Sequence, residues 1–281
     1  SLHFVSGDIN IADAFTKPLA TTRFKELRDR LLLTNEDQDA TTYVTQTQGT
    51  PSCARASKRV LILFSGPYNR PDGLQVFLNK VGLEATMVDS DEKHGGNAAH
   101  DILEDEFYTE LLRRTESGEF LAIVAAPPCS TFSVARHFKS SDPTKPGPPP
   151  VRNRENPRGI PGLGPLHTKE VKRANIIIAR TCAILTAAAN VGTEFIIENP
   201  ADHGDPSNKY CYLHHEHCPL WLMDEVRTLE TLSSGQKVTF PFCALGHESQ
   251  KMTTLLYTPG LTASLSHLSQ LRCAHKTHKQ V

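Results

Sequence analysis

The sequence predicts an α/β protein, doubly wound around a mostly parallel sheet. Short apolar runs of strand length alternate with longer segments of helical period from Lys58 onward. Glycine, proline and potentially reactive polar residues gather just after those runs, where open α/β sheets bind their ligands. Hydrophobic residues make up 38% and charged residues 22%, an ordinary balance for a soluble globular chain.

Each element follows from its own stretch. RVLILF (59–64) is a short apolar strand. A Gly/Pro-containing turn leads to GLQVFLNKVG (73–82), a helix closed by Gly82. EATMVD (84–89) is the next strand, ILEDEFYTELLRRTESG (102–118) a helix, and EFLAIVAA (119–126) a strand. A long loop rich in Pro, Gly and Arg follows. TKEVKRANIIIARTCAILTAAANVG (168–192) is a long helix and TEFIIENP (193–200) a strand. Such alternation suits a parallel sheet covered on both faces. Upstream, Thr22 to Leu33 has the period of an amphipathic helix, with Phe24, Leu27 and Leu31 on one face. Residues 34–57 are polar, with scattered Thr, Gln and Gly, and read as a flexible linker. The chain therefore divides into 1–33, the linker 34–57, and a domain over 58–281. It begins on Ser1 rather than Met, as a fragment or processed product would.

The net charge of −1 excludes a polycation built to coat nucleic acid, so any such binding must use a local patch. No apolar run approaches the roughly 20 residues that span a bilayer, so no membrane partner is expected. Seven cysteines, an odd count with no compact framework, read as reduced thiols of an intracellular protein.

The strand ends carry the candidate chemistry. After the first strand comes FSGPYNRPDG, with Gly66 suited to a tight turn and Gly73 opening the helix. Asp89 ends the second strand, 23 residues beyond Gly66, a spacing at which an acid often accepts bonds from ribose hydroxyls. Asp91 competes with it. Asp101 precedes a helix, where it either caps that helix or accepts from an adenine amino group. The third strand ends APPCSTFS: Pro127 and Pro128 stiffen the loop that presents Cys129, as a nucleophile requires. The last of these strands ends in Glu198, a carboxylate costly at the end of an apolar run unless paired or functional.

The ordered set LFSG, VD, HDI, PPC, IEN resembles the cytosine-5 DNA methyltransferase family over about residues 59–200, and more loosely to Tyr257. The resemblance implies a sheet of the S-adenosylmethionine-dependent methyltransferase (Rossmann-like) type. It implies that Phe64, Ser65, Gly66, Gly73, Asp89 and Asp101 hold S-adenosylmethionine. It makes Cys129, with Pro128 beside it, the nucleophile that adds to cytosine C6, and Glu198, followed by Asn199, the partner of N3. The base must leave the duplex to reach such a pocket. SQKMTTLLY stands where the family has a Gln-x-Arg-x-Arg stretch, so Lys251 carries the one charge there. Arg136 is a cation near the thiol. Between Arg136 and Arg173, nine Lys/Arg stand against three acids. Arg136, Arg152, Arg154, Arg158 and Lys251 are accordingly the expected nucleic-acid contacts, with DNA the expected partner and RNA an alternative. An active DNA methyltransferase would work in the nucleus.

Residues 1–33, LHFVSGDINIADAFTKPL followed by RFKELRDRLLL, resemble the end of the ribonuclease H domain of a copia-type retrotransposon polyprotein. Asp13 would match its final metal-binding carboxylate, but a two-metal nuclease needs several carboxylates, so this tail alone cuts no RNA. The chain then resembles the downstream end of a retroelement polyprotein with a captured methyltransferase-like domain. The alternative is a catalytically degenerate nucleic-acid-binding or structural relic, since PYNRPD displaces the family's later glycines and its arginines are missing. Cys273, His275 and His278 are the weak metal candidates; their spacing matches no strong zinc pattern, and no metal is expected. A zinc deaminase would need a cysteine where Phe132 stands.

Overall fold

In RVLILF the residues Val60 to Leu63 are all buried, alternate side chains entering opposite layers. That two-sided burial makes β1 (Arg59–Leu63) an interior strand of a sheet. The structure, a computed structural model, describes residues 57–68, 70, 73–92, 95–138, 147–245 and 249–275. The helix expected at Thr22–Leu33, Asp13, nearly all of the linker and His278 lie outside the described residues.

The sheet is completed by β2 (Glu84–Val88), β3 (Ala122–Ala125), β4 (Glu194–Pro200), β5 (Gln236–Pro241) and β6 (Met252–Tyr257), in the order β2-β1-β3-β4-β6-β5. β2, β1, β3 and β4 pair in parallel, whereas β6 runs antiparallel to both β4 and β5. The sheet is thus mixed and mostly parallel. The chain leaves β1 in one direction for β2 and returns past it to β3, so the order reverses between β1 and β3.

Five α-helices are described: α1 (Leu74–Lys80), α2 (Asp105–Glu116), α3 (Pro165–Asn190), α4 (Asp224–Leu232) and α5 (Thr262–Leu265). Leu61, Leu63, Ile123, Phe195, Ile197 and Leu256 form one core with the buried sides of α2, α3 and α4. On the other face, Val60, Ile62, Met87 and Val124 pack against Leu74 and Leu78 of α1. Further along that face Ile196, Leu255 and Tyr257 meet Leu261, Leu265 and Leu268 of the C-terminal segment. Both faces are covered, as the apolar runs predict.

Boundaries shift for local reasons. α2 starts at Asp105 rather than Ile102, because Asp101 Oδ1 accepts from the Leu103 amide and closes a turn first; Glu104 is the N-cap. α3 starts early at Pro165, a residue suited to the first helical turn, and Gly192 (φ +78°) ends it. β5, β6, α4 and α5 are additions to the sequence reading. Among the described residues no helix is long and apolar enough to cross a membrane.

Candidate active site at the carboxyl edge of the sheet

β1, β2, β3 and β4 end on one edge, and the antiparallel β6 begins there. At the reversal between β1 and β3 this edge opens into a cleft of about 610 Å³, within the usual range for small-molecule sites. Phe64 leaves β1 with φ +61°, a conformation uncommon for an aromatic residue, and Gly66 follows at φ +67°. The turn is locked to β2: the Phe64 amide donates to Val88 O (2.7 Å), and the Gly66 amide donates to Asp89 Oδ2 (2.8 Å). Asp89 Oδ1 accepts from the Asp91 amide at 2.9 Å. One carboxylate therefore fastens both turns while keeping lone pairs for a ligand.

Of the six residues expected to hold a cofactor, Phe64, Gly66, Asp89 and Asp101 line the cleft. Ser65 is buried beneath it and donates to Gly66 O. Gly73 lies outside the lining and serves as the N-cap of α1. Asp101 neither caps α2 nor stands free: it closes its own turn and pairs with Arg173 at 3.2 Å. Arg70, Tyr68 and His100 are residues that the sequence reading does not single out. Arg70 and His100 line the cleft, and Tyr68 OH donates to Met87 O beside His100. The cleft has an apolar floor of Leu63, Ile102 and Ile177, acids at Asp89 and Asp101, and cations at Arg70 and Arg173. Pro128 also lines this cleft.

Beyond Pro128 stands Cys129, at φ −93°, ψ 0°, in the bridge region where many active-site residues sit. Three buried side chains hold the carbonyls around it. Asn199 Nδ2 donates to Pro127 O (3.0 Å), Arg136 Nε to Ser130 O (2.6 Å), and His217 Nε2 to Phe132 O (2.9 Å). His217 Nδ1 accepts the His203 amide, which fixes the proton on Nε2. The loop is rigid through these bonds as much as through its prolines.

Glu198 is buried at the end of β4 and accepts a hydrogen bond from Thr253 Oγ1 at the start of β6. Lys251 Nζ lies 3.8 Å from Glu198 Oε1 and over the Phe242 ring, 4.8 Å from its centroid. The Cys129 thiol lies within reach of both charges: burial pushes its pKa up, Lys251 pulls it down and Glu198 pushes it up. The cation acting on the thiol is thus Lys251.

Arg136 is corrected in role. It is 8% exposed and spends its guanidinium on Ser130 O, Pro149 O and Glu170. Arg152 is corrected likewise: 2% exposed, it bonds Pro157 O and Asn175 and lies 4.2 Å from the Phe132 ring centroid. Burial lowers its pKa to about 10. Neither offers its charge to a phosphate. Arg154 is paired with Asp202 at 2.8 Å, and Arg158 is exposed and paired with Glu225. Lys169 and Lys172 on α3 are exposed cations beyond the expected contacts.

None of the six described cysteines forms a disulfide. Cys182, Cys211, Cys218 and Cys243 are buried; burial pushes the Cys182 thiol up to about 12, so it is inert packing. No protein-family model matches the chain. A search of curated proteins finds no match either.

Proposed function

We propose that residues 58–281 form an S-adenosylmethionine-dependent methyltransferase domain acting on C5 of cytosine in DNA. The observation that carries this reading is that Glu198 and Lys251 act on Cys129, whose neighbour Pro128 lines the same cleft as Phe64, Gly66, Asp89 and Asp101. Five separate strand ends contribute to it, and the sheet reverses at that point, as the methyltransferase type requires.

In this reading Asp89 and Asp101 hold the hydroxyls and amino group of the cofactor, and Arg70 and Arg173 its carboxylate. Bound there, S-adenosylmethionine supplies an electrophilic methyl group. The Cys129 sulfur, once ionised, adds to C6 of an extruded cytosine. Glu198 holds a proton at N3 and so removes the negative charge that addition would leave on the ring. C5 thereby becomes nucleophilic. Loss of the C5 proton after methylation expels the sulfur as thiolate and restores the aromatic ring. Asn199 keeps the Pro127 carbonyl, and with it the Cys129 backbone, in place. Arg158, with Lys169 and Lys172, supplies the sequence-independent phosphate contacts. Residues 1–33 make the chain a piece of a retroelement polyprotein in the same proposal, working in the nucleus.

Labelled cofactor and duplex DNA test it. Wild-type chain should yield C5-methylcytosine and Cys129→Ala none, while Glu198→Gln should lose roughly 10²–10⁴-fold in rate, the usual range for general acid–base help. Wild-type turnover by Cys129→Ala would remove the covalent mechanism. One feature favours the second reading, a nucleic-acid-binding relic: burial holds the Cys129 thiol toward its protonated form. A folded chain that fails to bind the cofactor in calorimetry would decide for the relic.

A further inference from the structure

The last turn of the sheet brings together three soft donors that the methyl-transfer site does not use. Cys243 lies just after β5, buried; Cys273 and His275 lie 30 residues downstream, beyond α5. Their Sγ and ring nitrogen atoms all fall within 4.8 Å of one another. Cys273 Sγ is 3.8 Å from His275 Nδ1. Around a tetrahedral zinc ion, with Zn–S near 2.3 Å and Zn–N near 2.05 Å, ligand atoms stand about 3.6–3.8 Å apart. The donors are therefore already close to the edge lengths of a zinc tetrahedron. The segment that carries two of them is held in place independently: the Cys273 amide donates to Tyr210 OH at 3.0 Å, and Leu268 and Leu271 pack with Phe240 and Phe242.

We propose that Cys243, Cys273 and His275 bind one zinc ion, with solvent in the fourth position, and that the ion clamps the C-terminal segment to the end of β5. Two thiolates and an imidazole select zinc over hard cations such as magnesium. Each thiol gives up its proton on binding, so the neutral thiols become two thiolates around a dication and two protons are released. The clamp has a consequence for the neighbouring site. Phe242, next to Cys243, donates its amide to Lys251 O (3.1 Å) and lies under the Lys251 ammonium. Fixing Cys243 thus fixes the support of the cation that acts on Cys129. The clamp itself stands on its three donors and holds whether or not the domain transfers methyl groups.

The test uses the full chain, reduced, stripped of metal and then titrated with cobalt(II). One equivalent should produce the near-ultraviolet thiolate-to-cobalt band and the intense visible bands of a tetrahedral ion, and zinc should abolish both. Cys273→Ser and His275→Ala should weaken binding by more than the roughly 10–100-fold that losing a supporting partner costs. Zinc should raise the melting temperature of the wild type and of Cys129→Ser, but not of His275→Ala, whose side chain is exposed and whose loss leaves the core intact. A cobalt spectrum that persists unchanged in His275→Ala and Cys273→Ser, no spectrum with all thiols reduced, or a Cys243–Cys273 disulfide in place of metal would each overturn the proposal. None of these readouts involves methyl transfer, so the clamp and the enzymatic reading fail separately.

Discussion

A thiol that adds to carbon must first ionise, and at Cys129 three influences set how readily it does. Burial is the largest and opposes ionisation; Lys251 favours it, and Glu198 opposes it. The two charges therefore have opposite signatures. Lys251→Met keeps the stem over Phe242 but removes the cation, so the thiol pKa should rise and alkylation by iodoacetamide at a fixed pH should slow. Glu198→Gln should lower the pKa and speed the same reaction. One pKa unit is about tenfold in thiolate fraction well below the pKa, so mass-spectrometric alkylation profiles across pH resolve both shifts. Superimposable profiles for the three proteins would show that neither charge reaches the sulfur. The strand-end positions of Cys129 and Glu198 were legible in the sequence, the first from the Pro127–Pro128 step and the second from a carboxylate that closes an apolar run. The roles of Arg136 and Arg152 were not legible: sequence displays their charge but not the carbonyls that consume it.

Elements were legible where the sequence shows a clear apolar run or stripe, not where burial is greatest: β6 is buried along its whole length, but Thr253 and Thr254 interrupt its apolar pattern. β1 to β4 are short apolar runs, and α3 carries a long apolar stripe, so composition alone marks them. β5 begins with the exposed Gln236 and Lys237, and α4 spans only nine residues, so neither presents a run long enough to stand out. The connection after β2 is set by sterics instead. Gly96 donates its amide to Asp91 O, and a Cβ there would stand 2.6 Å from Asp89 O and 2.8 Å from Asp91 N. Those are backbone atoms of the segment that fastens the Gly66 turn, so they cannot yield without moving Asp89. Gly96→Ala should cost about 1–3 kcal/mol, the usual penalty of overpacking, and weaken the proposed S-adenosylmethionine binding in calorimetry. Gly82→Ala is the control: it has open space around it but φ +77°, so it should lose stability through backbone strain alone and keep cofactor affinity. Equal affinity in Gly96→Ala and wild type would detach this turn from the cleft.

At the scale of the molecule, the histidines and carboxylates whose pKa values are lowered in the folded chain predict loss of stability in acid, in two steps. His137, just beyond the Cys129 turn, is held at about 4, first by burial and then by His214 and His217, with Glu216 pulling the other way. His203 is lowered in the same direction, again chiefly by burial. The unfolded chain takes up protons at these histidines from about pH 6.5, whereas the folded chain resists until lower pH. The unfolded state therefore binds more protons, and stability falls as pH drops from about 6.5 toward 4. The second step belongs to carboxylates. Burial would raise Asp202, but the hydrogen bonds donated by Arg154 and the Gly204 amide hold it at about 2; Glu119 is held at about 2 chiefly by Arg114. Their stabilisation is present above the ordinary carboxylate range and is lost as pH falls through it toward 2. Urea midpoints measured from about pH 7 downward should begin to decline near pH 6.5, in the upper histidine window and above the ordinary carboxylate range. His137→Gln, which cannot take the proton, should flatten that first decline and leave the second. Arg154→Met should do the reverse, because it removes a bond to Asp202 and leaves His137 with its neighbours. If His137→Gln followed the wild-type curve through the upper window, its imidazole would not be what couples the loop around Cys129 to pH.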